Sequence, residues 1–301
     1  MRKLKLDPTW ISSSPLLEMT RQARRLPHGG IVLLVALGLP FLASLGAAPL
    51  GIAFSFLISK RLFFPQELEI GFLLITSFGS LLLLVWLWIY LVERRPFVTL
   101  GFLAAPPFAS YGGGFVRGLV LISLGLLWIW LLGVKVELQP LSAPFLRRLM
   151  LSFLFLPAWI VQGAAEEVLI RGWMLPVFSL RHGVKAGIFV SAVSFALLHI
   201  LNPGLTRLAL LNLALFGIFA ALYALKEGNL WGICALHAAW NWSLSNLFGL
   251  SVSGMESDFS LLSLRIEGEQ WLTGGTFGPE GGIVVTFLLL LAIGWLLVER
   301  K

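Results

Sequence analysis

The chain has 301 residues, of which 58% are hydrophobic and only 12% charged, with a mean hydropathy of +0.90. A soluble domain is nearer half apolar and a quarter charged, so this composition excludes an ordinary soluble protein and indicates an integral membrane protein. The net charge of +7 is spread over short segments between apolar runs, a pattern of membrane topology and not of nucleic-acid binding.

Residues 1–30 lack the apolar core and cleavage site of a signal peptide. They are expected to form a basic cytosolic or interfacial segment, with Arg21, Arg24 and Arg25 on anionic headgroups. A helical span needs about 20 apolar residues, and eight candidates follow: 31–58, 68–92, 115–133, 149–171, 186–201, 207–225, 229–248 and 281–298. The first contains Pro40 and several glycines and is expected to be broken or tilted. The stretch from the "APP" at 105–107 to the "YGGG" at 111–114 reads as a flexible connection between spans two and three. "PFLRRLM" (144–150) reads as a basic anchor to lipid headgroups. The fifth span ends at the turn signal "LNPG" (201–204). The acidic stretch 249–280 suits an external loop, and its "TGGTFGPEGG" end reads as turns leading into the last span. Most tryptophans near span ends, Trp86, Trp88, Trp128, Trp130, Trp173, Trp231 and Trp295, read as an aromatic belt, whereas mid-span Trp159 reads as packing within the bundle.

The expected fold is therefore all-α, a polytopic membrane bundle of about eight transmembrane helices. Residues 31–148 supply the N-terminal helices and 149–248 a polar core. Residues 249–280 form the loop, and 281–301 the last helix with a basic C-terminus. With the N-terminus inside, the inner segments carry Arg2, Lys3, Lys5, Arg24, Arg94, Arg95, Arg181, Lys185, Lys226, Arg300 and Lys301 among others. The outer ones carry fewer cations, namely Lys60, Arg61, Lys135, Arg147, Arg148, Arg207 and Arg265. This bias puts both termini of a multi-pass cell-membrane protein in the cytoplasm.

Few ionisable residues lie within the spans: Glu166, Glu167, His199 and His237, with Arg171 at a span end and Asn241 as a neutral polar partner. Ionisable groups at such depth are costly and mark function. They fall in "EEVLIR" (166–171), "FALLH" (195–199) and "HAAWN" (237–241). Glu167 and Arg171 are i,i+4 with the acid first, the favourable order for a helical ion pair. Glu166 is rotated about 100° from Glu167 and left to face a cavity. His237 and Asn241 share a helix face. At about 1.5 Å per residue, Glu166, His199, His237 and Asn241 lie roughly 13, 18, 10 and 16 Å from one common membrane face, so they can meet in one layer. Gly163, Ala164 and Ala165 give a small-residue surface against which another helix can pack closely.

A carboxylate in a low-dielectric cavity suits general acid–base work. Glu166 and His199 could activate water, and His237 and Asn241 could donate to an oxyanion, which together make a hydrolysis site. The same atoms have a second use: Glu166, His199 and His237 could hold a divalent metal such as zinc, although no HExxH spacing is present. The only cysteine, Cys234, excludes an intramolecular disulfide and reads as a small buried hydrophobe and not a nucleophile. His28 and His182 read as interface and loop residues.

In this order and on successive apolar spans, the three motifs EExxxR, FxxxH and HxxxN resemble the CPBP family of CAAX proteases and bacteriocin-processing or immunity-associated (Abi) proteins. The resemblance covers roughly residues 149–248. It implies an intramembrane endopeptidase with a polar intramembrane cavity, acting on a peptide or membrane-protein substrate. Glu166 and His199 would be the water-activating pair, His237 and Asn241 the oxyanion pair, and Glu167 and Arg171 the residues that order the site. Members are often labelled metalloproteases, and a metal-free glutamate mechanism has also been proposed, so the resemblance fixes no cofactor. Two other functions compete. A non-proteolytic scaffold or regulator on the same fold would not need all six polar residues, and a proton-coupled transporter would be expected to show paired halves, which the sequence lacks.

Overall fold

The computed structural model describes residues 9–59, 68–102, 107–141, 143–256 and 259–298. Arg2, Lys3, Lys5, Lys60, Arg61, Ala105, Pro106, Asp258, Arg300 and Lys301, which entered the sequence reading, lie outside the described residues. Among the described residues, eight long or medium helices form the bundle: α1 (Gly29–Ser59), α2 (Leu68–Glu93), α3 (Pro107–Leu131), α4 (Phe145–His182), α5 (Val184–Leu198), α6 (Arg207–Glu227), α7 (Trp231–Trp242) and α8 (Ile283–Val298). Five of them, α1 to α4 and α6, are long and apolar enough to cross a membrane. A helix satisfies its backbone internally, which a spanning segment must do in lipid. The outer faces are apolar as well: Leu34, Phe41 and Leu291 are exposed, which suits a lipid surround. The expected all-α membrane bundle is what the chain adopts, and it adds a small antiparallel ribbon, β1 (Lys135–Leu138) with β2 (Leu264–Glu267).

Several expectations are corrected. α1 runs unbroken through Pro40 and Pro49. The segment read as a flexible connection is helical from Pro107, and its last glycine, Gly114, is a packing residue, as is Gly118 further along α3. A Cβ on Gly114 would lie 2.0 Å from the Gly232 carbonyl oxygen, and one on Gly118 2.4 Å from that of Leu236. Only glycine permits α3 to approach α7 so closely. The small-residue surface on α4 behaves as expected, since a Cβ on Gly163 would come within 3.0 Å of the Ala238 backbone nitrogen.

α4 does not end near residue 171. It continues to His182 through a π-helical segment, Val168–Met174, every residue of which is buried. A π turn widens the helix and redirects side chains, so depth counted from a common starting face does not apply to this helix. Trp173 therefore lies in the core and not in an aromatic belt. It is 1% exposed and donates to Glu93, which also pairs with Arg95 at 2.7 Å in a fully buried ion pair. Trp159 is buried as expected and donates to Asn246 Oδ1 at 2.6 Å.

The ends of the bundle are capped by chain. A short helix, Pro15–Thr20, buries Leu16 and Leu17 against Leu175, Leu225 and Leu230 instead of lying free on headgroups. Arg24 and Arg25 stay exposed. Lys226 at the end of α6 donates to the Leu296 carbonyl and lies near the rings of Trp10 and Trp295, so the two described chain ends meet at this end of the bundle. At the opposite end, residues 249–256 and 259–282 lie over α4 and the turn of π-helix, Ser243–Leu247, that continues α7. Leu261 and Leu262 donate to the carbonyls of Asn246 and Leu247, and Arg148, read from sequence as a headgroup anchor, instead donates to Leu261 O at 2.6 Å.

Candidate active site

A cavity of about 340 Å³ opens between α1 and α2 on one side and α4 to α8 on the other. This is within the usual size range of small-molecule and peptide side-chain pockets. Its α1–α2 wall is largely apolar, with Ala43, Leu74, Phe78 and Leu81. The facing wall carries Gln162, Glu166, His199, His237 and Asn241. The four residues expected to do chemistry thus share one cavity, and the two expected to order it lie immediately behind.

Glu167 and Arg171 pair at 3.0 Å with both side chains fully buried, as the i,i+4 spacing predicts. The guanidinium also lies over the Phe195 ring, 4.4 Å from its centroid. That contact gives the aromatic residue of the FxxxH motif a physical role, because a cation over an aromatic face is stabilised in a desolvated site. Glu167 has a second partner that spacing did not reveal, His237 Nδ1 at 2.8 Å from Oε1. A carboxylate accepts, so Nδ1 carries a proton and Nε2 is aimed into the cavity. Nε2 lies 3.7 Å from Glu166 Oε2. Phe216, edge-on to His237 with ring centroids 5.2 Å apart, packs the other side of the imidazole.

Glu166 faces the cavity as expected. Its Oε1 accepts from Gln162 Nε2 at 2.8 Å, and its Oε2 has no hydrogen-bond partner among the described residues. Asn241 Nδ2 donates to Gln162 Oε1 at 2.8 Å. Gln162 therefore links the first and third motifs. Sequence reading placed it inside an apolar run, although its i−4 position relative to Glu166 was a usable signal. Asn241 keeps a second N–H, since an amide nitrogen has two.

His199 sits at the C-terminal end of α5, where Gly- and Pro-containing "LNPG" stops the helix. Its Nδ1 is 2.9 Å from the Phe195 carbonyl oxygen. A carbonyl only accepts, so Nδ1 donates and the neutral ring presents Nε2 as an acceptor. Asn202, Asn212, Ser253 and Glu280 also line the cavity and were missed. Glu280 comes from the supposed external loop. Its Oε1 accepts from Trp240 Nε1 at 2.8 Å, and its Oε2 from the Ser253 backbone N–H and hydroxyl at 2.7 and 3.0 Å. Burial pushes its carboxyl above the ordinary carboxylate range, against the opposite pull of these donors and of His199.

Among the described residues no three His, Cys, Asp or Glu side chains group as a metal would require. His237 Nδ1 is held by Glu167 and His199 Nδ1 by a backbone carbonyl, which leaves Nε2 of each ring toward the cavity. In this arrangement Glu166, His199 and His237 are not grouped as a three-ligand set. Cys234 is buried among core residues. His28 and His182 are exposed and are not among the residues that line the cavity.

A helical membrane bundle with a buried Glu–His–Asn cluster on one polar cavity wall defines the class. Residues 148–243 match the family model described as Type II CAAX prenyl endopeptidase Rce1-like. The match is confined to that segment, which contains all six motif residues and belongs to the kind of family its three motifs resemble. No curated protein and no solved structure matches the chain.

Proposed function

We propose that the protein is an intramembrane endopeptidase in which Glu166 and His199 activate water against a peptide bond of a membrane-associated substrate. The observation that carries this reading is the pair of unused acceptors on one cavity wall, Glu166 Oε2 and His199 Nε2. Water held between them loses a proton to the Glu166 carboxylate as its oxygen bonds the scissile carbonyl carbon. The carbonyl oxygen becomes an oxyanion, which accepts from the second N–H of Asn241 and from His237 Nε2 when that imidazole carries both protons. Glu166 then passes its proton to the amine nitrogen as the C–N bond breaks. Glu167 and Arg171 act through His237 by fixing its ring. No step is assigned to a metal.

The apolar α1–α2 wall suits a hydrophobic or lipid-modified chain end. We assign substrates to membrane-associated peptides or proteins, with the termini of this multi-pass chain in the cytoplasm. A prenylated CaaX tail and an unmodified peptide are distinguished by experiment. Comparative peptidomics of membranes from cells expressing wild type or Glu166→Ala would reveal neo-termini that appear only with wild type. Identical peptide profiles would remove the proposal and favour a scaffold.

A further inference from the structure

Residues Val252–Met255 form a tight hairpin closed by a bridge between Val252 and Met255, with Val252 N–H donating to Met255 O at 2.9 Å. Its tip residues Ser253 and Gly254 both have positive φ, 48° and 86°. A non-glycine residue adopts that conformation uncommonly and needs its surroundings to hold it. Three contacts do so. Glu280 Oε2 accepts from both the N–H and the hydroxyl of Ser253. Asn202 Nδ2 donates to Ser253 O at 2.8 Å. Gly254 lies so close to Pro203 that a Cβ would be 2.1 Å from its carbonyl oxygen.

Asn202 and Pro203 belong to the turn that follows His199, and Asn202 N–H donates to His199 O at 3.0 Å. His199 is at a helix end and not inside a helix, so what fixes this turn also fixes the histidine. Glu280 is itself held from behind. Asn212 Nδ2 donates to the Glu280 carbonyl at 2.7 Å and to that of Gly282 at 2.9 Å, and Trp240, one residue before Asn241, donates to the side chain. A half-buried carboxylate whose side-chain donors all lie on two elements is an expensive device for tying a loop.

We propose that Glu280 is a positioning residue of the active site, pinning the Val252–Met255 hairpin onto the 199–204 turn and thereby placing His199. The inference rests on the proposed hydrolytic role of His199 and adds to it a residue from outside the three motifs.

The test uses the full chain in lipid nanodiscs and Glu280→Gln, which replaces one acceptor by a donor facing Trp240 or Ser253. Two readouts are made. Amide hydrogen exchange follows peptides covering 199–206 and 250–257. Hydrolysis is followed with a quenched fluorescent peptide bearing a farnesylated CaaX tail and with its unprenylated counterpart. The expected result is faster exchange in both segments. It is accompanied by a fall in kcat on the order of 100-fold, the effect of displacing a reacting group by about 1 Å, while KM stays roughly constant. Unchanged exchange at 199–206 overturns the proposal, and so does faster exchange with unchanged kcat. Ser253→Ala, which deletes one donor and keeps the N–H, shows the same changes in smaller degree, and it decides the matter if Glu280→Gln does not fold. If wild type cleaves neither peptide, the hydrolytic reading fails for these substrates, and exchange at 199–206 alone still supports or overturns the pinning of the turn.

Discussion

Replacing Glu167 by Gln strips the charge from one member of the fully buried Glu167–Arg171 pair. Arg171 then keeps Phe195 beneath it but loses its hydrogen-bonded carboxylate, and two of its nitrogens, Nε and Nη2, already lack hydrogen-bond partners among the described residues. Removing one partner from a buried pair leaves an uncompensated charge and costs about 3–5 kcal/mol, roughly a 10²- to 10⁴-fold change in the folding equilibrium. Replacing both partners by apolar groups of similar volume is often neutral or stabilising. The single Glu167→Gln variant should therefore be strongly destabilised, while Glu167→Gln with Arg171→Met recovers most of the loss. Recovery is incomplete because the bond from His237 Nδ1 then ends on a neutral amide oxygen and not a carboxylate, about 1 kcal/mol net against about 1.5–3 kcal/mol for a bond to a charged group. Equilibrium unfolding of purified protein in mixed detergent micelles, with tryptophan fluorescence as the probe, measures all three. Additive destabilisation in the double variant, with no recovery, would refute the pairing argument. Both variants should also lose hydrolysis, because the orientation of His237 goes with Glu167.

Other outcomes follow from the same geometry. Gln162→Leu removes the link between Asn241 and Glu166. It should lower kcat by about 10- to 100-fold, as expected when groups are no longer oriented, with the fold intact by circular dichroism. Gly118→Val should destabilise the bundle, because its Cβ meets the Leu236 carbonyl and the Ala239 side chain; overpacking costs about 1–3 kcal/mol, read from the unfolding midpoint. Prolonged dialysis against a chelator, followed by activity measurement, should leave hydrolysis unchanged, because Glu166, His199 and His237 do not form a metal-binding set.

The periodicity and the apolar run lengths made the eight helices legible, because in lipid the run length is itself the span. The division of the two glutamates was also legible, since adjacent helical residues must point about 100° apart. What was not legible came from two causes. The π segment Val168–Met174 alters the count of residues per turn, so the end of α4 and the burial of Trp173 escaped an argument built on a regular rise. The other misses are contacts between elements. Nothing in the spacing of "HAAWN" shows that His237 faces Glu167 instead of only the cavity. Nothing in a glycine-rich acidic loop shows that Glu280 folds back onto Trp240. Gln162 differs from these, because its i,i+4 relation to Glu166 was present in the sequence and was hidden only by the apolar residues around it. Gly114 reads as a loop former by composition, whereas Gly118 already fell within the third predicted span, and the need for glycine at both comes from the close approach of α7, a tertiary effect.

The central claim is that the Glu166 carboxylate is the base that activates water. Its most direct test compares wild type with Glu166→Gln, both reconstituted in liposomes at equal stability, cleaving a substrate identified by membrane peptidomics. General base catalysis contributes about 10²- to 10⁴-fold. The account predicts a loss of kcat of that order, with the unfolding midpoint unchanged because Glu166 Oε2 makes no hydrogen bond within the described protein. Wild-type turnover by the Glu166→Gln protein would contradict it.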